Sequence, residues 1–317
     1  MAGSQVATVE RAARVGAPGG PAGWVRRHTF EITLILPLLA YVLVLTVAPI
    51  VDTIRVSFSA PHVGFGTLKS YQAITGDSVF RTAVKNTVIV AVLSLALEVA
   101  AGLAIALALH VKFFARGFVR TVMLVPLGVP TIVSGAVMLL IFARSGYMNS
   151  ILGLFANLID KIPGINLKWT NVSWTVAGGW RTLLTIAIAD MWKVLPIITL
   201  IFLAGLQSIP EDVNEAADVD GATKWQRFVR ITLPLLIPYF TMALILRAID
   251  AFRIFELALV LAGRVEPVLG TYIAQRYLPP TNDPFTSAAA SIILFGIIMV
   301  FIILYLRFVA VRGQVQR

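Results

Sequence analysis

The 317-residue chain has no cysteine and only three histidines, His28, His62 and His110. The first absence removes disulfides, thiol nucleophiles and Cys-ligated zinc together. No histidine lies inside an apolar run, so no metal site is expected. Charge is scarce as well: 13% of the residues are charged and 58% are hydrophobic, against about 25% charged in a soluble domain. Mean hydropathy is +0.86. Too little polar surface exists to cover so large an apolar core, which excludes a water-soluble enzyme, a disordered regulator and a coiled coil. Lys and Arg number 26 against 16 Asp and Glu, a net charge of +10. These basic residues are scattered over short segments between apolar runs, so they read as membrane topology rather than nucleic-acid binding.

Six segments are apolar enough over 18 or more residues to cross a bilayer: 30–51, 84–109, 119–142, 183–206, 235–261 and 288–309. The expected fold is an all-α membrane protein of six transmembrane helices, spanning 30–309. An N-terminal tail (1–29) and a short C-terminal tail (310–317) flank it. The first run is long, lacks a good cleavage pattern and follows some thirty polar and Gly/Pro-rich residues, so it reads as a span rather than a signal peptide. With the N-terminus inside, the inner segments hold thirteen Lys and Arg, counting Arg120 at a span edge, against nine outside. Both termini are therefore expected in the cytoplasm.

The second run carries Ser94, Glu98, Gly102 and Ala106 at spacing four, with Ala96, Ala100, Ala104 and Ala108 alongside. Such small-residue faces let helices approach closely in lipid. Between the third and fourth runs, Met148, Ile151, Leu152, Phe155, Leu158, Ile159 and Ile162 follow one helical face until Pro163-Gly164. The segment, about 147–162, is too short to span and is expected as an external interfacial helix.

The loop 207–234 is the most informative segment. Ser208 and Glu211 have the spacing of a capping box, with Pro210 in the first turn. Glu211, Asp212 and Glu215 suit the N-terminal end of a helix, and Asp220-Gly221 offers a residue to end it. A second short helix is expected to start after Thr223 and to stop before Pro234. Two short helices meeting at a glycine make a knob suited to a groove on another protein.

Glu215-Ala216-Ala217, Gly221 and Ile231-Thr-Leu-Pro234 together resemble the EAA signature of ATP-binding-cassette importer permeases, at every position of its spacing. The resemblance implies a type I (MetI-like) permease whose 207–234 loop couples to a separate ATPase through Glu215, Ala216, Ala217, Asp220, Gly221 and Pro234. No G-x-x-x-x-G-K-[ST] phosphate loop occurs in the chain, in keeping with ATP and Mg being used by the partner. Pro126-Leu-Gly-Val-Pro130, Gly146-Tyr-Met-Asn149, Met191-Trp192-Lys193-Val-Leu-Pro196 and Asp250-Ala-Phe-Arg-Ile-Phe-Glu256 are similar to the carbohydrate group of that family. A departure is Leu261-Ala-Gly-Arg-Val-Glu-Pro267, where the family often has a Thr-Gly-Gly-Pro-like turn.

Carried over residue by residue, the resemblance implies sugar contacts at Asp190, Lys193, Val194, Ile197, Arg247, Asp250 and Ala251, and a further one near Ser134. Charged groups bond hydroxyls, while Trp192 and Phe252 could stack on a sugar face. An isolated charge at mid-bilayer costs roughly 2.5–3.5 kcal/mol, so these residues should be paired, Asp190 with Lys193 and Arg247 with Asp250 at i,i+3. Arg247 and Asp250, with Arg253, are assigned to the translocation path, and Glu256 and Glu98 to structure. Interhelical salt bridges that never touch substrate are the alternative. The implied assembly contains a second, homologous permease chain, two cytoplasmic ATP-binding subunits and an extracytoplasmic solute-binding protein in a bacterial inner membrane, with no nucleic acid. The implied substrate is a di- or oligosaccharide, trehalose- or maltose-like; a glycerol phosphate or a proton-coupled secondary transporter are the other readings.

Overall fold

A computed structural model describes residues 28–162, 169–175 and 178–315. The tail before residue 28 and the Pro163-Gly164 helix stop lie outside these residues. The chain divides into two units, Met1–Arg55 and Val56–Arg317. In the first, α1 runs from Thr29 and ends at Ser57 in the second; a π turn at Leu43–Val47 interrupts it.

The second unit opens with a two-residue hairpin, β1 (Ser59–Ala60) and β2 (Gly64–Phe65), pairing antiparallel. Then follow α2 (Lys69–Gly76), α3 (Ser78–His110), α4 (Arg116–Gly128), α5 (Thr131–Ile141) and α6 (Tyr147–Ile159). Beyond them are α7 (Trp180–Gln207), α8 (Glu211–Val219), α9 (Lys224–Leu235) and α10 (Ile237–Phe252). The chain closes with α11 (Glu256–Ala262), α12 (Leu269–Tyr277) and α13 (Pro284–Val315). Among the described residues four helices are long and apolar enough to cross a membrane, and six spans result if each of two bent pairs counts as one.

Both bent pairs depart from the expected straight spans, and proline explains the first. The third run breaks at Val129-Pro130, where α4 and α5 meet at 104°. Val129 is extended, at φ −86° and ψ 128°, because a residue before proline is driven out of the helical region. The fifth run is bent by 58° at Leu236 and ends at Phe252 rather than 261, so Arg253 falls in a short break before α11. Nor does the helix that starts at Lys224 stop before Pro234. A π turn at Phe228–Thr232 leads into the proline, which occupies the first turn of the next helical segment, where its missing N–H is not needed.

Helices α3 and α7 form the spine. Ser94, Glu98, Gly102 and Ala106 are all buried, whereas Ala96, Ala100, Ala104 and Ala108 face outward. A Cβ at Gly102 would lie 2.6 Å from Ile198 Cγ2, so glycine sets how closely the two helices approach. Three apolar clusters adjoin this pair. One unites Phe80, Leu95, Phe252, Tyr272 and Leu294; another unites Val90, Met138, Ile186 and Leu257. The last joins Ala106, Phe202, Leu206 and Leu236.

The start of α3 is locked by Asp77. Its carboxylate accepts from Val79 N–H at 2.8 Å and from Tyr272 Oη at 2.9 Å, and it pairs with Arg276. Burial pushes the Asp77 carboxyl up, but the bonds from Tyr272, Val79 and Arg276 outweigh it and hold the group below its ordinary range. Burial and the bond to Asp77 push the Tyr272 phenol up to about 12, so it stays a donor.

Candidate functional site

The first candidate region is an ionic cluster where α3, α7 and α10 meet. Arg247 donates from Nε to Glu98 Oε2 at 2.9 Å and from Nη2 to Glu98 Oε1 at 2.7 Å, a two-pronged bond. The same Nη2 reaches Asp190 Oδ2 at 3.0 Å. The Glu98 side chain is 0% exposed and that of Arg247 3%. Asp250 stands 3.6 Å from Arg247 and 3.8 Å from Arg253. Asp250 and Arg253, with side chains 54% and 72% exposed, are the accessible end of this chain of charges. Glu98, 149 residues from Arg247 in sequence, is the partner that completes it.

The expected Asp190–Lys193 pair is not formed. Asp190 turns to Arg247, and Lys193 Nζ donates to two backbone carbonyls at the α4–α5 elbow, Pro126 O at 3.4 Å and Val129 O. Pro126 O still accepts a turn bond from Val129 N–H at 3.3 Å, whereas Val129 O has no backbone donor among the described bonds, and a carbonyl in lipid must find one elsewhere. Lys193 on the neighbouring helix supplies that donor, and Asp190 takes its cation from Arg247 instead. The expected Arg247–Asp250 contact is present, as the weakest of the three that Arg247 makes.

The remaining candidates fall into two groups. Trp192, Lys193, Val194 and Ile197 are half-buried along α7. Ser134, Ala251 and Phe252 are buried: the Ser134 hydroxyl donates to Pro130 O at 3.2 Å, and the Phe252 ring packs on Phe301 at 5.2 Å between centroids. Glu256 is exposed at the start of α11. The turn that departs from the family pattern is fastened by Glu266. Its carboxylate accepts from Asn86 Nδ2 at 2.9 Å and from the Gly179 N–H at the start of α7.

The second candidate region is the knob formed by α8 and α9. The capping box expected at Ser208 and Glu211 is absent: Pro210 stands at the N-cap, and the Ser208 hydroxyl donates to Gly205 O and accepts from Tyr239 Oη at 2.8 Å. Thr223 and Gln226 form one instead, with Thr223 N–H on Gln226 Oε1 at 2.8 Å and Gln226 N–H on Thr223 Oγ1 at 3.3 Å. Gly221 takes φ +73°, and Ala222 N–H reaches back to Ala217 O at 3.0 Å, closing α8 as a left-handed residue does. Asp218 and Arg227 bridge the two helices at 2.8 Å.

Within the knob Ala217 is buried, whereas Glu215, Ala216, Asp220 and Gly221 are exposed and Pro234 is half-buried. Val219 is 89% exposed and Trp225 is 72% exposed. Sequence reasoning passed over both. Their signal was two large apolar residues in a polar loop with no apolar period to bury them.

Residues 98–311 match the model of a family described as the binding-protein-dependent transport system inner membrane component. The chain is 36% identical over 282 residues to the trehalose/maltose transport system permease protein MalF of Thermococcus litoralis, covering 86% of this chain and 91% of that one. It is 31% identical to the arabinooligosaccharides transport system permease protein AraP of Bacillus subtilis, over 83% of each chain. A chain of a bacterial alginate ABC transporter, solved in complex with an alginate pentasaccharide-bound periplasmic protein, superposes with a TM-score of 0.76. That match is 21% identical and covers 90% of this chain and 96% of that one; at this identity it speaks to the fold alone. On the family match and the identity to these permeases, the chain belongs to the inner-membrane components of binding-protein-dependent transport systems.

Proposed function

We propose that this chain is one of two permease subunits in an ATP-driven carbohydrate importer, with both termini in the cytoplasm. The α8–α9 knob is the part on which a separate ATPase acts, and that ATPase alone uses ATP and Mg. The observation that carries this reading is the form of the knob: two short helices, stapled by Asp218–Arg227, present Glu215, Ala216, Val219 and Trp225 to solvent. Exposed aromatic and aliphatic anchors among acids suit insertion into a groove on a partner. Because α9 leads into α10, which carries Arg247, through the bend at Leu236, a push on the knob is passed along connected helices toward the ionic cluster.

The substrate is a di- or oligosaccharide, a reading supported by relatives whose names specify trehalose, maltose and arabinooligosaccharides. Asp250 and Arg253 offer accessible charged groups to sugar hydroxyls, beside Trp192, Val194 and Ile197. Arg247 is a positioning residue held by Glu98 and Asp190. A binding protein delivers the sugar on the outer side, where we place α6 and the Glu266 turn. A proton-coupled mechanism is not favoured, because the buried acids are committed to Arg247.

The test is uptake in proteoliposomes containing the whole assembly. Gly221→Pro should abolish ATP-dependent uptake while leaving membrane insertion intact, and Trp225→Ala should weaken retention of the ATPase. Normal uptake by the Gly221→Pro chain sinks the coupling role.

A further inference from the structure

The ends of three helices and the knob enclose a cleft that transport does not explain. Leu107 and His110 at the end of α3, Arg116 at the start of α4, Gln207 at the end of α7, and Lys224 with Arg227 on α9 line a cavity of about 730 Å³. Lys112 and Glu211 also face it. Arg227 is taken by Asp218. Among the described residues no ion pair engages Lys112, Arg116, Arg120 or Lys224, and Glu211 pairs with none of them.

Arg116 and Arg120, one helical turn apart, share a single acceptor. With its amide oxygen turned toward them, Gln207 accepts from both guanidinium groups at 3.2 Å. A neutral amide holds the two cations side by side but leaves their charge uncompensated. The Nε atoms of both are buried without a hydrogen-bond partner. Those two atoms are closed off from the cleft; what the cleft itself lacks is an anion to balance the guanidinium of Arg116, which lines it and has no ion pair among the described residues.

The surroundings say where that anion comes from. The connection from α3 to α4 and the first turn of α4 expose Val111 at 62%, Phe113 at 41%, Phe114 at 109% and Phe118 at 73%. A strip of exposed aromatics interleaved with Lys112 and Arg116, at the point where apolar helices end, has the composition of a membrane interface.

We propose that this cleft holds the phosphate of an anionic phospholipid headgroup. Arg116, Lys112 and Lys224 would contact its oxygens, and Phe114 and Phe118 would lie among the acyl chains. Basic pockets between helix ends are a known means of holding such headgroups. The lipid would brace the knob against the ends of α3 and α4, making transport efficiency depend on lipid composition. The binding site is independent of whether an ATPase acts on the knob.

The test uses the complete purified transporter in nanodiscs of phosphatidylcholine, with or without phosphatidylglycerol, followed by native mass spectrometry of retained lipid. The unaltered complex should retain phosphatidylglycerol preferentially. Each cation facing an anionic headgroup is worth roughly a fivefold change in binding, so Lys112→Gln with Arg116→Gln should weaken retention roughly 30-fold. Should the double variant fail to fold, Lys112→Gln alone, at an exposed position, should still show roughly a fivefold loss. Equal retention of both lipids, or retention unchanged by either variant, overturns the proposal. Displacement of the lipid by millimolar inorganic phosphate overturns the lipid source and assigns the cleft to a free anion. Because retention is read without hydrolysis or uptake, failure here leaves the coupling role of the knob standing.

Discussion

Replacing Arg247 by glutamine tests whether the ionic cluster is held together as described. The change removes a guanidinium that makes two bonds to Glu98, at 2.7 and 2.9 Å, and one to Asp190, at 3.0 Å. Two acids on neighbouring helices are then left without their cation, one of them with a side chain fully withdrawn from solvent. Breaking a buried pair by removing one partner costs about 3–5 kcal/mol, and among the described residues no other cation pairs with these two acids. Lys193 is occupied at the elbow, and Arg253 reaches only Asp250. Glu98→Gln should be milder, about 1–3 kcal/mol, since an amide oxygen still accepts from Arg247 and Asp190 remains its counterion. The double variant should then be no worse than Arg247→Gln alone, giving an interaction energy of about 1–3 kcal/mol. Arg247→Lys should fall between, because an ammonium keeps the charge but loses the fork. The assay is denaturant unfolding of the solubilised transporter across the cycle of single and double variants. If the two single effects add within about 0.5 kcal/mol, the residues are not a unit and the described cluster is wrong.

Other outcomes follow from the packing and the turns. Gly102→Leu should separate α3 from α7, since even a Cβ meets Ile198 Cγ2 at 2.6 Å; a cost of about 1–3 kcal/mol, partly relieved by Ile198→Ala, would appear as a lower Tm. Gly221→Val forces a β-branched residue to φ +73°, costing about 1–2 kcal/mol at the knob, and should reduce uptake more than it reduces the global Tm. Acid should weaken the start of α3. Asp77 has a folded pKa below its ordinary 3.8, so its contribution is complete above that value and is lost as pH falls through the folded value. Melting curves at successively lower pH should show this loss in the unaltered protein and a flatter dependence in Asp77→Asn.

The order of the spans was legible because apolar runs long enough to cross a bilayer have few alternatives. The knob was legible because its glycine, acids and alanines have positional meanings that survive without tertiary context. What escaped was set by distant partners. That Glu98 would meet Arg247 depends on the register of α3 against α10, which no local pattern contains. Lys193 looked like a match for Asp190 because i,i+3 spacing is visible in sequence; the carbonyl of Val129 left open at the Pro130 break is not. The capping box at Ser208 gave way to a hydroxyl bond with Tyr239, again a contact from another helix.

The bond from Lys193 to the elbow means that the joint between α4 and α5 lacks full hydrogen bonding of its own. Its open carbonyl, Val129 O, is sealed by a side chain rooted in α7, so any tilt of α7 must either drag the elbow along or leave that oxygen without a donor. The α4–α5 pair and α7 are thereby geared together, and the bend behaves as a passive follower of its neighbour rather than as a hinge in its own right.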